Sequence, residues 1–521
     1  MIVERDVSVA LRDGTTIYID LFRPRDESPA APLIAWGPYG KHGHIQYQQT
    51  FPNWGGDPAA ISKYAAFEAP DPAFWVPRGY AIINPDPRGT WGGEGRATYL
   101  SPEEALDFFD LIEWAGTRSW SNGKVGLSGV SYLASSQWRV AQTQPPHLAA
   151  INPWEGWSDT FREVARHGGI PETYFWPYLT PRWGASTTEV EDLQAETLEH
   201  PFFDDFWQSK AADFSRICVP AYVVASWTDQ GLHTRGTLEG FKHIASQEKW
   251  LEVHGRKKWA YFYEPASVNR QLQFFEHFLR GNPHSISDWP RVRVEARERF
   301  CVGDMLAEDE WPIARTRYEQ LFLDAQSATL QQVPVAQESS VSYDTDRTRA
   351  TAQRAQFDFT FARRTDLIGH MKLRLWVAAP AATDLDLFVA IQKIDAHDVV
   401  VPFAFWAHFD DGPVALGWLR ASHREIDPTS SVTHQPVLAH RRALTVPRGE
   451  IVPLEIEIWP SGTRFEAGES LRLVLQGSDI YVYPKPVMCD RHEETVNHGP
   501  HVIHCGGRYD SHLLVPVVPA K

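Results

Sequence analysis

The residues with the clearest chemical potential form the run Gly126-Leu127-Ser128-Gly129-Val130-Ser131-Tyr132-Leu133-Ala134. An apolar strand leads there into a turn of small residues and then into a helix, which is the pattern of a nucleophile elbow. We predict that Ser131 is a nucleophile and that Gly129 permits the close approach of the backbone. Leu133 replaces the second glycine of the strict Gly-x-Ser-x-Gly pattern. A serine that merely starts a helix is therefore the alternative on the motif alone, and Ser128 is the rival serine.

A serine hydroxyl needs a general base, and the base needs an acid that orients it. Asp229 follows a predicted strand that ends at Ala225, so we predict it as the acid; the alternative is a loop aspartate that caps the next helix. The next predicted strand ends at His254, before Gly255, and we predict His254 as the base. An ordinary strand-end histidine is the alternative there. His233, four residues after Asp229, is a second candidate for the base.

Acyl transfer also requires hydrogen-bond donors where the oxyanion develops. The backbone amide of Tyr132, directly after the predicted nucleophile, is one candidate. The phenol of Tyr39, at the end of an early strand, is the other. Taken alone, Tyr39 would pass for an aromatic residue of a turn.

The elements that must position these residues alternate between strands and helices. Short apolar runs predict buried strands at 32–36, 80–84, 124–127, 148–152, 219–225 and 250–254. A capping box, Ser101-Pro102-Glu103-Glu104, predicts the start of a helix. Such alternation indicates an α/β class with a parallel sheet covered by helices on both faces. Two further strands around Asp13-Gly14 predict an N-terminal hairpin.

Residues from about 155 to 215 contain no convincing strand and are dense in aromatic residues, which predicts a mostly helical insertion. From about 290 the runs are short and alternate with period two, as in Arg291-Val292-Arg293-Val294-Glu295, and predict an antiparallel β-sandwich. We therefore divide the chain into a catalytic domain (1–154 and 216–285), a helical cap (155–215) and a C-terminal β-sandwich (286–521). The predicted substrate pocket is lined by Trp154, Trp157, Phe161, Trp176, Trp227 and Trp259.

Composition excludes several classes. The chain has 521 residues and a formal net charge of −16, which argues against nucleic-acid binding. Its four cysteines form no C-x-x-C pair, which argues against a disulfide scaffold or a zinc ribbon. No run approaches the roughly 18 apolar residues of a membrane helix, and the N-terminus lacks the apolar run of a signal peptide. We expect a soluble, cytoplasmic protein without a metal or other cofactor.

Across nearly its full length the chain resembles the cocaine esterase and X-Pro dipeptidyl-peptidase family of serine hydrolases. The matching stretches are Leu11 to Thr15, Gly37 to Lys41, Asp86 to Gly89, Trp120 to Gly126, Gly129 to Leu133, Pro201 to Trp207, Ser226 to Asp229, Phe274 to Gly281, His501 to His504 and Ser511 to Pro516. The resemblance implies an α/β-hydrolase domain with an inserted helical cap and a C-terminal jelly-roll. It also implies Ser131 as nucleophile, Asp229 as acid, and Tyr39 with the Tyr132 amide as oxyanion donors.

The chain departs from the family at the base. Members of the family have the sequence Gly-Pro-Trp-x-His after the strand that corresponds to the one ending at His254. This chain has Gly255-Arg256-Lys257-Lys258-Trp259 instead, so the family's histidine falls on Trp259. Either the loop is rebuilt so that His254 serves, or the triad is incomplete.

The leading hypothesis is a serine hydrolase that acts, through an acyl-enzyme, on an ester or amide of a bulky, apolar or aromatic small molecule, with X-Pro dipeptidyl-peptidase-like activity included. One alternative is a hydrolase-fold enzyme with an altered triad that catalyses acyl transfer, cyclisation or proton transfer. Another is a catalytically silent binding protein. The expected partner is a small-molecule substrate, with neither nucleic acid nor membrane, and homo-oligomer formation is left open.

Overall fold

The structure is a computed structural model that describes residues 1–26, 28–42, 50–184, 190–346 and 353–521. The N-terminal half carries the strands β1 (Ile2–Ala10), β2 (Thr16–Arg23), β3 (Ala31–Ile34), β4 (Tyr80–Asp86), β5 (Val125–Val130), β6 (Leu148–Trp154), β7 (Arg166–His167), β8 (Ile170–Pro171), β9 (Ala221–Ser226) and β10 (Lys249–His254). Its helices are α1 (Pro72–Trp75), α2 (Pro102–Gly116), α3 (Tyr132–Ala141), α4 (Phe175–Leu179), α5 (Leu193–Glu199), α6 (Asp205–Ser209), α7 (Thr234–His243), α8 (Lys258–Tyr263) and α9 (Pro265–Arg280).

The N-terminal hairpin and the strands from β3 to β10, apart from β7 and β8, form one sheet in the order β1-β2-β4-β3-β5-β6-β9-β10. Strands β7 and β8 pair with each other in a separate antiparallel ladder. The pairs from β4–β3 to β9–β10 are parallel, while β1 and β2 form the antiparallel edge. This confirms the predicted hairpin and the predicted parallel sheet. All residues of β5 and β9 are buried, as expected for central strands covered on both faces.

The predicted capping box is found at the start of α2. The Ser101 side chain accepts a hydrogen bond from the Glu104 amide, and Pro102 occupies the first helical position. The Glu104 carboxylate accepts from the amide of Leu100, one residue before the cap, and from the Tyr132 hydroxyl at 2.7 and 2.9 Å. Helix α2 is thereby tied to the helix that follows the predicted nucleophile.

The segment between β6 and β9, which was predicted to be mostly helical without a convincing strand, is built of short pieces and includes two short strands. A π-helical turn (Phe161–Ala165), the two-residue strands β7 and β8, and helices of five to seven residues account for its regular structure. Its aromatic side chains are largely buried.

The C-terminal half is β-rich. Its strands are β11 (Val292–Arg299), β12 (Val302–Glu308), β13 (Arg317–Asp324), β14 (Thr329–Gln331), β15 (Ser339–Asp344), β16 (Arg354–Thr360), β17 (Thr365–Ala378), β18 (Asp386–Ile394), β19 (Val400–Val401), β20 (Phe403–Phe405), β21 (Phe409–Gly412), β22 (Ala415–Arg420), β23 (Val452–Phe465), β24 (Ser470–Gln476), β25 (Pro500–Cys505) and β26 (His512–Val518). Antiparallel pairs such as β17–β23 and β18–β24 enclose an apolar cluster that includes Leu373 and Leu473.

One strand differs from the sequence prediction. The run from Arg291 to Glu295 was predicted to belong to the antiparallel sandwich, but β11 pairs in parallel with β10, with Leu251 opposite Val292. Strand β12 then adds antiparallel to β11. The polar residues of the alternating pattern are paired inside the molecule: Arg293 donates to Glu252 at 2.7 Å, and the buried Glu295 accepts from Arg256 at 2.9 Å. The parallel sheet therefore continues past residue 290.

Within the described part of the chain, no helix is long and apolar enough to cross a membrane.

Candidate active site

Ser131 lies on a strained bend between β5 and α3. Its backbone has φ 62° and ψ −118°, outside the regions that most residues occupy. The Ser131 amide donates to the carbonyls of Trp154 and Glu155, at 3.1 and 3.0 Å, which holds the bend against the end of β6. The side chain is therefore presented beyond the carboxyl end of the sheet, as expected for a nucleophile elbow.

The structure explains why Leu133 can replace the second glycine of the Gly-x-Ser-x-Gly pattern. A Cβ atom at Gly37 would lie 2.3 Å from Leu133 Cδ1, and a Cβ atom at Gly129 would lie 2.5 Å from Leu133 Cβ. Leu133 thus occupies space that two other glycines leave open. The elbow is retained with a different distribution of small residues.

The histidine in contact with Ser131 is His233. Its Nε2 lies 3.1 Å from Ser131 Oγ, and its Nδ1 lies 2.5 Å from Asp229 Oδ2. A carboxylate only accepts hydrogen bonds, so Nδ1 carries the proton and the Nε2 lone pair faces the serine hydroxyl. Asp229 and His233 are fully buried, and Ser131 is 6% exposed. The three side chains have the connectivity of a nucleophile, a base and an orienting acid.

Local backbone geometry brings the acid and the histidine together. The His233 amide donates to the Asp229 carbonyl at 3.1 Å, so residues 229–233 form one turn that leads into α7. Residues four apart on such a turn lie on the same side. The spacing of these two residues was the sequence signal for this arrangement.

The structure corrects the predicted position of the base, because His254 lies elsewhere. Its Nδ1 accepts from the Arg256 amide at 3.1 Å, and its Nε2 lies 2.9 Å from Glu155 Oε1. Both ring nitrogens are therefore engaged away from Ser131. The cause is the register of β10, which places His254 opposite Ser226, whose hydroxyl also donates to Glu155, at 2.6 Å.

The two predicted oxyanion donors flank the serine. Tyr132 is the first residue of α3, and amides of a helix's first turn have no acceptor within the helix. Tyr39 and Ser131 line the same cavity. Burial, with the nearby Glu68 carboxyl, raises the pKa of Tyr39, so its hydroxyl stays protonated as a donor.

Two titratable residues that sequence reasoning did not single out, Lys258 and Glu68, also lie at the site. The Lys258 ammonium donates to Asp229 Oδ2 at 2.8 Å and lies 3.3 Å from His233 Nδ1. Glu68 Oε1 accepts from the Trp259 indole at 2.7 Å. The departure from the family motif after β10 marked the position of Lys258, whereas Glu68 lies in no motif.

Burial dominates the electrostatics of the site. Burial, followed by the Lys258 charge, lowers the pKa of His233 to about 4, against the opposing effect of Asp229. Burial alone would raise the pKa of Asp229, but Lys258 and the hydrogen bond from His233 hold it below its usual range. Burial raises the pKa of Glu68 to about 8, with Lys258 and Trp259 opposing. The histidine is therefore neutral near pH 7, as a general base must be.

A cavity of about 50 Å³ lies beside Ser131. Its wall contains Tyr39, Thr50, Phe51, Phe67, Glu68, Phe175, Tyr178, Leu179, Arg182, Leu232, Lys258, Trp259 and Met488. The wall is thus mainly apolar and aromatic, as predicted, but most of its residues differ from the predicted ones. Of the predicted pocket residues, Trp259 alone is found there.

The other predicted pocket residues pack into the interior. Trp157 stacks on the His233 ring, with centroids 5.5 Å apart, and Trp176 packs against Trp157. Trp154 packs on Phe262, and Phe161 belongs to a separate small cluster. Trp227 donates to the Glu295 carbonyl, at 2.8 Å. The frequent aromatic residues in this part of the sequence therefore indicated the packed core around the site rather than the wall of the cavity.

Two family models match the chain. The model of X-Pro dipeptidyl-peptidases (S15 family) covers residues 13–257, and the model of their C-terminal non-catalytic domain covers residues 284–514. Both halves of the molecule are thus matched, in the order found in these peptidases.

Individual proteins agree with the family models. A crystal structure of a CocE/NonD family hydrolase from Staphylococcus aureus matches with a TM-score of 0.96 and 41% identity, covering 99% of this chain and 94% of the other. The cocaine esterase of Rhodococcus sp. (strain MB1 Bresler) is 24% identical over 386 residues, which is 63% of each chain. An aminopeptidase from a Thaumarchaeota archaeon, with a TM-score of 0.73, 15% identity and coverage of 99% and 97%, shows the fold alone.

Proposed function

We propose that this chain, which belongs to the cocaine esterase and X-Pro dipeptidyl-peptidase family of serine hydrolases, hydrolyses an ester or amide of an apolar or aromatic small molecule through an acyl-enzyme on Ser131. The observation that carries the proposal is the 3.1 Å contact between Ser131 Oγ and His233 Nε2, with His233 Nδ1 2.5 Å from Asp229. These are the contacts a serine needs to become a nucleophile at neutral pH.

In the proposed mechanism, Ser131 Oγ attacks the substrate carbonyl carbon while His233 Nε2 takes the hydroxyl proton. The Asp229 carboxylate holds the imidazole tautomer and stabilises the imidazolium. The Tyr39 hydroxyl and the Tyr132 amide donate to the oxyanion. The imidazolium then protonates the leaving alcohol or amine, and water, activated by the same histidine, releases the acid from Ser131.

The cavity favours a small acyl group. Pockets for drug-sized ligands have volumes of roughly 300–1,000 Å³, whereas the cavity beside Ser131 has about 50 Å³. We therefore propose an apolar or aromatic substrate, as predicted from the sequence, but with a small rather than a bulky acyl group. We propose further that the C-terminal β-domain is a jelly-roll, since the family model of the peptidases' C-terminal domain matches it.

The contact between His233 and Ser131 supports a hydrolase over both alternatives. The non-hydrolytic enzyme was motivated by a displaced base, and His233 is a histidine in contact with the serine; a silent binding protein has no need of such a contact. An X-Pro dipeptidyl-peptidase activity stays as a second candidate, supported by the match to the S15 family model.

The test is turnover of p-nitrophenyl acetate, p-nitrophenyl benzoate and a Xaa-Pro p-nitroanilide by the wild-type chain and by Ser131→Ala. We expect hydrolysis of an ester, faster with acetate than with benzoate, and loss of it in Ser131→Ala. A covalent adduct on Ser131 after a fluorophosphonate probe identifies the nucleophile. A folded wild-type chain that is neither labelled nor active on any of the three substrates would contradict the proposal.

A further inference from the structure

Lys258 is a buried cation in direct contact with the acid of the triad. Its side chain is 2% exposed, and its Nζ lies 2.8 Å from Asp229 Oδ2, the same oxygen that accepts from His233. Asp229 Oδ1 has no hydrogen-bond partner among the described residues. The orientation of the carboxylate therefore depends on two donors at one oxygen.

Burial of the Lys258 ammonium costs free energy unless neighbouring groups of opposite charge compensate it. Burial lowers the pKa of Lys258, but Asp229, Glu68 and Glu155 together raise it above its ordinary value, so the residue is charged. The charge also faces His233 Nδ1 at 3.3 Å. Lys258 is thus within reach of both partners of the serine.

We propose that Lys258 is a positioning residue of the triad, whose ammonium fixes the Asp229 carboxylate against the His233 ring and places a permanent positive charge beside the imidazole. The inference rests on the proposed function, because it concerns the same base and acid. Lys258 lies one residue before Trp259, the position where the family resemblance led us to expect a histidine.

The charge has a consequence for pH dependence. A positive neighbour disfavours the imidazolium, so it moves protonation of His233 to lower pH. Since only the neutral imidazole can act as base, the acid limb of kcat/KM lies at lower pH with Lys258 than without it. The other titratable groups around Asp229 and Lys258 are Glu68, Glu155, His254 and His408. The distances single out Lys258 as the cation in contact with the pair.

The experiment compares kcat/KM–pH profiles of the wild-type chain, Lys258→Met and Lys258→Arg. In Lys258→Met we expect the acid limb to move up by about one pH unit or more and kcat to fall by up to roughly 100-fold. In Lys258→Arg the charge is kept, so the limb stays near that of the wild type. Lys257→Met is the matched control, because Lys257 is also buried but pairs with Asp410 at 2.6 Å, and its limb should not move.

A purely structural ion pair would lower activity or thermal stability in Lys258→Met and leave the limb in place, which would overturn the inference. If Lys258→Met does not fold, Lys258→Gln takes its place, because the amide keeps a hydrogen-bond donor near Asp229 without the charge. Its acid limb should also lie at higher pH than that of the wild type, and a limb that stays in place would overturn the inference. Absence of Ser131-dependent turnover in the wild type would instead count against the proposed function.

Discussion

At the scale of single residues, the two oxyanion donors differ in how far a mutation can test them. The Tyr132 amide belongs to the backbone, but the Tyr39 hydroxyl can be deleted without changing the ring. Tyr39 packs edge-on against Phe67, with centroids 4.8 Å apart, so Tyr39→Phe keeps the packing. The mutation therefore isolates one hydrogen bond.

We expect Tyr39→Phe to lower kcat by roughly 10²–10³-fold with little change in KM, because an oxyanion donor acts mainly in the transition state. Steady-state kinetics on an activated ester is the measurement. Tyr64→Phe is the control, since Tyr64 lies outside the cavity wall. An unchanged kcat in Tyr39→Phe would remove this residue from the mechanism.

Ser131 and Asp229, the proposed nucleophile and acid, could be singled out from the sequence because each follows a strand that the local pattern identifies. The base could not be fixed in the same way. A rule that places catalytic residues after successive strands pointed to His254, while the turn at 229–233 had already supplied His233. The rule failed because the pairing of His254 with Glu155 depends on strand register, which a local pattern does not contain.

At the scale of elements, the bend between β5 and α3 depends on Gly129. This residue has φ 151°, and a Cβ atom there would lie 2.5 Å from Leu133 Cβ and 3.2 Å from the Glu68 carbonyl. The elbow can therefore pack closely against the segment that carries Glu68 because Gly129 has no side chain.

We expect Gly129→Ala to lower the free energy of unfolding by about 1–3 kcal/mol, through overpacking, and to slow labelling of Ser131 by a fluorophosphonate. Gly449→Ala is the control, because Gly449 also has positive φ (71°) but nothing within 4 Å of its Cβ position. That variant should lose only about 1 kcal/mol, from backbone strain, and should keep its labelling rate. Equal effects of the two mutations would show that packing at the elbow is not the cause.

At the scale of the whole molecule, the β-domain holds the turn that carries the acid and the base. Gln230, inside that turn, donates to the Pro460 carbonyl at 3.0 Å and accepts from the Leu416 amide at 3.1 Å. Its own carbonyl accepts from the Trp406 indole at 2.9 Å. The β-domain thus contributes to the geometry of the site without supplying a triad residue.

We expect Gln230→Ala to lower kcat/KM by roughly tenfold or more, because small displacements of catalytic groups are costly, and to lower thermal stability. Gln247→Ala, at an exposed position, is the control and should change neither quantity. Turnover and thermal unfolding of both variants are the measurements. Full activity of Gln230→Ala would show that these contacts do not position the turn.

The order of the parallel strands was predictable as far as β10, since buried parallel strands give continuous apolar runs. The two-residue strands β7 and β8 were not predicted. The place of β11 was not, because its alternation of apolar and charged residues reflects buried ion pairs, which the pattern does not distinguish from an exposed face. The contacts of Gln230 were equally out of reach, since they join residues about 180 to 230 positions apart. The division into domains stays a prediction.

The role of His233 as the base is tested most directly by the rate at which a fluorophosphonate labels Ser131 in the wild type, in His233→Ala and in His254→Gln. We expect rapid labelling of the wild type and a loss of about 10³-fold or more in His233→Ala, because the serine loses its base. His254→Gln should lose stability, since His254 pairs with the buried Glu155, but a folded sample should still be labelled. Rapid labelling of His233→Ala together with loss of labelling in folded His254→Gln would contradict this role of His233.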